Sequence, residues 1–174
     1  MGQIIAREDR FSSPRRDAEL ALKPSGKRIC NEKRYLEELK KGARHFRKLT
    51  SDAAREYMLP LLLRGLMQDF NIHMSARNGR FDDEVEIEMI PGSDGKFYFA
   101  IYTDALAAYR STKAHYYNSD YVISLDYLFS AVCRDENCGG ICINPFDDGG
   151  CMVTRFRIAQ MYQQKSNWQR TMAI

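Results

Sequence analysis

A chain of 174 residues with 44% apolar and 28% charged side chains is large enough to bury a core of its own without disulfide or metal staples. No apolar run approaches the roughly 20 residues needed to span a bilayer, and "MGQIIAREDRF" carries charges where a secretory signal would be apolar, so a cytoplasmic protein with no membrane association is expected. The net charge of +3 conceals an asymmetry: residues 1–64 hold 16 basic and 9 acidic side chains (+7), and the remaining 110 hold 10 against 14 (−4).

Five cysteines, an odd number, fit reduced thiols better than a disulfide framework. Residues 1–30, with "RFSSPRRD" and "KPSGKR", have charge, Ser, Pro and Gly but no sustained period. They read as an extended or disordered basic arm. A helix follows from Asn31, with Tyr35, Leu39, Ala43, Phe46 and Leu49 at spacings of three and four. The "TSD" segment caps a second helix using Ala54, Tyr57, Met58, Leu61 and Leu62, where Pro60 either kinks the helix or opens a new one.

At Phe70 the period changes to two. Phe70, Ile72 and Met74 alternate with polar residues, as do Val85, Ile87 and Met89 with Glu84, Glu86 and Glu88. "PGSDG" then joins the second strand to the aromatic run "KFYFAIYTD", a hairpin whose later strand is apolar on both faces and therefore central. Thr103 or Asp104 can cap the next helix. "DYVI" is a short strand, Ser124 caps a helix with Leu125, Leu128, Phe129 and Val132 inward, and Asp126 lies in its first turn. "GGICINP" is a strand stopped by Pro145, which makes Cys142 a small core hydrophobe. The tail reads as a helix using Phe156, Ile158, Ala159 and Tyr162, or as a strand through "VTRFRI".

The order of "FYFAIYTDALAAY", "YVISLDYLFSAV" and "GGICINPF" resembles the N-terminal domain of the SseB (enhanced serine sensitivity) family. The features are an aromatic strand running into a Thr-Asp cap, a strand leading into a short helix, and a Gly-(apolar)3-Asn-Pro strand end, over roughly residues 66–160. The resemblance implies an α/β fold and a binding or accessory role without an established catalytic activity.

The residue chemistry supports no catalytic constellation. Cys133, Cys138, Cys142 and Cys151 contain no C-x-x-C pair to place two thiolates on one ion, so no metal and no cofactor is expected. Cys138, beside two glycines, is the candidate for an exposed thiol, yet a helix C-terminus would not activate it. The Glu84, Glu86, Glu88 ladder reads as a solvated strand face. His73 falls on a polar strand face. The basic arm could neutralise phosphates, which makes nucleic acid an alternative partner, and a small thiol-dependent enzyme is a further alternative. Strand ends and helix N-termini gather on one edge of an α/β sheet, where ligands commonly bind. The candidate partner- or ligand-binding residues are therefore Tyr102, Thr103, Asp104, Asp126, Asn144, Pro145 and Phe146. The expected protein is a single α/β, more exactly α+β, domain over residues 67–174. It has a mixed sheet of about five strands with packed helices, preceded by the arm (1–30) and one or two helices (31–66), and it acts as a non-catalytic module that binds a protein partner.

Overall fold

The stripe that begins at Tyr35 belongs to a helix, α1 (Gly26–His45), which buries Tyr35, Leu39 and Ala43 and leaves Lys33, Arg34, Glu37 and Lys41 exposed. The computed structural model describes residues 3–6, 26–46, 51–78, 85–105, 108, 119–146 and 150–173. Leu49 and Glu84, and most of the arm and of the helix expected after Asp104, lie outside the described residues. Helix α2 (Asp52–Met67) starts where Ser51 Oγ accepts the Ala54 N–H at 3.1 Å, so the serine of "TSD" is the cap. Pro60 sits inside this one helix and opens no second one. Ala54, Met58, Leu61, Leu62 and Leu66 are buried. Tyr57, expected inward, lies beside that stripe at the rim between the helices, 47% exposed, with its ring 5.6 Å from Phe46.

Seven strands form one mixed sheet among the described residues: β1 (Gln3–Ala6), β2 (Asn71–Asn78), β3 (Val85–Pro91), β4 (Phe97–Ile101), β5 (Ser119–Ser124), β6 (Cys138–Ile143) and β7 (Cys151–Thr154). Their order is β5-β2-β3-β4-β6-β7, with β1 paired to β3, and only β4–β6 is parallel. The two strands beyond the expected five are β1, drawn from the front of the basic arm, and β7. The tail uses both of its readings in turn: β7 ends at Thr154 and α4 (Arg155–Met172) begins at the next residue. Helix α4 buries Ile158 and Met161, whereas Phe156, assigned inward by period, is 65% exposed. The strand-to-helix change at Thr154 resets which residues face the core.

Helix α3 (Leu125–Arg134) follows the sequence reading closely. Ser124 Oγ accepts the Tyr127 N–H at 3.2 Å, and Leu125, Leu128, Phe129 and Val132 are fully buried. Residues of α1 and α2 join those of α3, α4 and the sheet in one core, so no boundary at residue 66 divides the hydrophobic interior. The fold is an α+β single-domain arrangement. No helix among the described residues is long and apolar enough to cross a membrane.

The hairpin between β3 and β4 closes through Gly92 N–H to the Lys96 carbonyl at 2.7 Å, with Gly95 at φ +77°. The central position of β4 is confirmed by burial of Tyr98, Phe99, Ala100 and Ile101. Strand β3 departs from expectation. Glu88 is fully buried rather than solvated, and its Oε1 accepts the hydroxyl of Tyr102. The face opposite the helices is covered here by a second small core of Ala100, Tyr102 and Ala108, with Ile90 against it. A period-two pattern tells which residues share a face, but it does not tell that both faces are covered.

Candidate functional site

A cleft of about 640 Å³ opens between α1 and the ends of the central strands. Its helical wall is Glu32, Lys33, Leu36, Glu37 and Lys40, two adjacent rows of α1 beside the buried Tyr35–Leu39 stripe. Its other wall is Asn71 and His73 at the start of β2, with Thr103, Asp104 and Ala105 just past β4. These segments meet because β2 runs beside the end of β4: His73 and Tyr102 exchange both backbone hydrogen bonds, at 3.1 and 2.8 Å. Leu36 is half-buried and packs against the main core, which gives the cleft an apolar floor beneath charged walls. Lys40 Nζ lies 3.5 Å from Asp104 Oδ2, both about 40% exposed, and this contact ties the walls together.

The residues singled out from sequence do not all meet in one place. Thr103 and Asp104 line the cleft. Asn144 stands behind them: its Nδ2 donates to Thr103 Oγ1 at 3.0 Å, and its Oδ1 accepts the Thr103 N–H at 3.1 Å. Its own N–H donates to the Ile101 carbonyl at 2.8 Å, so Asn144 fastens the ends of the parallel strands β4 and β6. It does so at φ +49°, a left-handed conformation that asparagine tolerates better than most residues. Thr103, proposed as a side-chain cap, thus directs its hydroxyl to Asn144, and the helical turn after it begins with Ala108 N–H donating to the Asp104 carbonyl at 3.3 Å. Tyr102 is buried and points to Glu88; burial, and then the Glu88 carboxylate, push its pKa far up. Pro145 is buried and Phe146 is exposed beyond it.

Asp126 belongs elsewhere. Its Oδ1 lies 2.5 Å from Lys165 Nζ of α4, and its backbone N–H donates to Asp69 Oδ1 at 3.3 Å. Lys33, Leu36, Lys40 and Asn71 are cleft residues that sequence reasoning did not select. The one sequence signal on the helical side is Leu36, an apolar residue that falls off the main α1 stripe.

The cysteines have settled positions. Cys138, expected to be the exposed thiol, is fully buried, because the β6 backbone runs through the interior with all six residues covered. Cys142 and Cys151 are buried as well, and Cys133 is the partly exposed one of the four described thiols. None of these four is in a disulfide. Burial pushes Cys138 and Cys151 up to about 11 and Cys142 up to about 12; Cys133 rises too, by burial. Thiols so held are protonated at neutral pH and poor nucleophiles. Among the described residues, no group of three or more His, Cys, Asp or Glu side chains is placed to hold a metal ion.

The described lining of the cleft contains no thiol, and its single hydroxyl, Thr103 Oγ1, accepts from Asn144. Three acids and two lysines share the walls, a formal balance of −1 counting Lys, Asp and Glu. Alternating charges over an apolar floor suit the side chains of a polypeptide; a lone phosphate would meet three carboxylates. No protein-family model matches the chain, and neither a curated protein nor a solved structure matches it.

Proposed function

We propose that the chain is a non-catalytic, cytoplasmic accessory module, SseB-like in its body, that recognises a protein partner through the cleft between α1 and the β2 and β4 ends. The observation that carries this reading is the cleft itself, with a Leu36 floor, walls of both charge signs and its only described hydroxyl engaged by Asn144. The four free thiols among the described residues favour a reducing compartment. The SseB likeness draws support from the order of elements: an aromatic central strand into Thr103-Asp104, a strand into the short α3, and a strand ended by Asn144-Pro145. A thiol enzyme is disfavoured by the burial of Cys138, Cys142 and Cys151.

The test is site-specific cross-linking in the native host with the full chain. A photoreactive residue at Lys33, on the cleft wall, should yield one discrete protein adduct. The same residue at the exposed Asp94 of the β3–β4 loop should not. Loss of the Lys33 adduct on adding Lys40→Glu is expected. An absent adduct, or equal adducts from both positions, would refute the cleft as a recognition surface.

A further inference from the structure

Tyr57 faces out where the apolar period turns it in, and the surface around its ring is basic. One row of α1 and one row of α2 form the outer seam between these helices. The α1 row is Arg34, Glu38, Lys41 and His45, at spacings of four, three and four. The α2 row is Ala53, Tyr57, Pro60 and Arg64, at the same spacings. Two contacts show that the rows adjoin. Arg64 Nη2 donates to Glu38 Oε2 at 2.6 Å, and a Cβ at Gly42 would lie 2.9 Å from Tyr57 Cε1. The Tyr57 ring thus rests on the α1 backbone beside Lys41, where glycine leaves room for it.

Charge and ring chemistry say what this seam takes. Its two rows hold Arg34, Lys41 and Arg64 against Glu38 alone, and Glu38 is held by Arg64. Helix α1 as a whole carries seven Lys and Arg against three Glu. Arg34, Lys41 and His45 are exposed, with about 10 Å and then about 6 Å of helix rise between them. Asp52 and Glu56 lie on the next row of α2, and Arg55 engages Asp52. Rings continue from Tyr57: Phe46 lies 5.6 Å away, and His45 stands edge-on to Phe46 at 4.5 Å. The exposed apolar surface is little more than these rings, so the seam lacks the broad apolar centre of a protein interface. A nucleotide strand needs what is present, a ring for a base and cations for phosphates. A duplex keeps its bases stacked on one another, whereas a single strand offers them to the ring.

We propose that the α1–α2 seam binds single-stranded nucleic acid, with a base stacked on Tyr57 and phosphates along Arg34, Lys41 and His45. This surface shares no residue with the cleft and stands or falls separately from it.

The test is fluorescence anisotropy of labelled oligothymidine and oligouridine, each of about twelve nucleotides, titrated with the full chain. Saturable binding that weakens with added salt is expected. Binding of either strand supports the proposal, and the tighter one identifies the sugar recognised. Tyr57→Leu should raise Kd about tenfold, whereas Tyr57→Phe keeps the stacking ring and should stay within about twofold of wild type. Lys41→Gln should flatten the plot of log Kd against log salt by about 0.7. Urea midpoints confirm that each variant is folded, as expected for exposed positions. Four results would overturn the proposal: no binding of either strand at low salt, equal affinity for a duplex of the same length, equal competition by polyglutamate, or wild-type affinity in Tyr57→Leu. The Lys33 adduct should persist in Tyr57→Leu, so a failure here is distinguishable from a failure of the cleft.

Discussion

Asn144→Ala should be among the most damaging single changes near the cleft. The side chain satisfies Thr103 twice, and both residues are nearly inaccessible, at 5% and 4% exposure, so water cannot replace the lost partner. Leaving the buried Thr103 N–H unsatisfied costs about 1–3 kcal/mol, and losing the bond to Oγ1 costs about 0.5–1.5 kcal/mol. Alanine must also adopt φ +49°, at about 1–2 kcal/mol. The sum is about 2.5–6.5 kcal/mol, a Tm fall on the order of 10 °C for a chain of this size. Urea unfolding followed by circular dichroism measures it. Asn144→Gly should recover roughly 1 kcal/mol, because glycine removes the dihedral cost and restores neither bond. A double-mutant cycle with Thr103→Val isolates the side-chain bond. If Asn144→Ala is within about 0.5 kcal/mol of wild type, the clasp is not structural. If glycine and alanine cost the same, the dihedral argument fails.

Three further outcomes follow from the interior. Mild alkylation at neutral pH, with peptide mapping, should label Cys133 before Cys138, Cys142 or Cys151; fast native labelling of Cys138 would contradict its burial. These three thiols have folded pKa values raised from 9.0 to about 11, 12 and 11, so the folded state holds protons that the unfolded chain releases. Their contribution to stability is complete below about pH 9 and is lost as pH rises towards 11–12. Urea midpoints measured across that range should therefore fall, and a Cys142→Ala variant should fall less steeply. Gly140→Ala should prevent folding or cost several kcal/mol, since a Cβ there would lie 2.0 Å from the Val153 carbonyl oxygen at φ +142°, and soluble yield with thermal melting would show it.

Local chemistry was legible wherever a residue's role depends on near neighbours. Ser124 as a cap, the α3 stripe, the β3–β4 hairpin and the central place of β4 all rest on periods and turn residues within a few positions. The misses have one physical origin, which is coverage by distant segments. Glu88 alternates like a solvated residue, yet Tyr102 and Ala108 lie over its face. Cys138 beside two glycines reads as accessible, yet its side chain is part of the main core shared by the sheet and the helices. The sheet side of the cleft was visible as Thr103-Asp104, with Asn144 behind them, because the strand-end rule concerns the sheet. The other side came from α1, whose docking position nothing in its own sequence specifies.

That docking position also decides how function must be dissected. Helix α1 presents Lys33, Leu36 and Lys40 to the cleft while inserting Tyr35 and Leu39 into the core. Removing the front of the chain as far as α1 would delete both contributions, and any lost binding would report unfolding. Point changes separate them. Tyr35→Ala empties a buried aromatic site and should cost about 3–5 kcal/mol. Tyr35→Phe should be neutral or stabilising by up to about 1 kcal/mol, because the buried Tyr35 hydroxyl has no hydrogen-bond partner among the described residues. Lys40→Glu breaks a half-exposed ion pair worth at most about 1 kcal/mol, yet it should abolish the cross-link from Lys33. Urea midpoints and adduct yields measured on the same three variants test this division. A Lys40→Glu protein as unstable as Tyr35→Ala would mean that the cleft wall is scaffold, and recognition would then have to be sought on another surface.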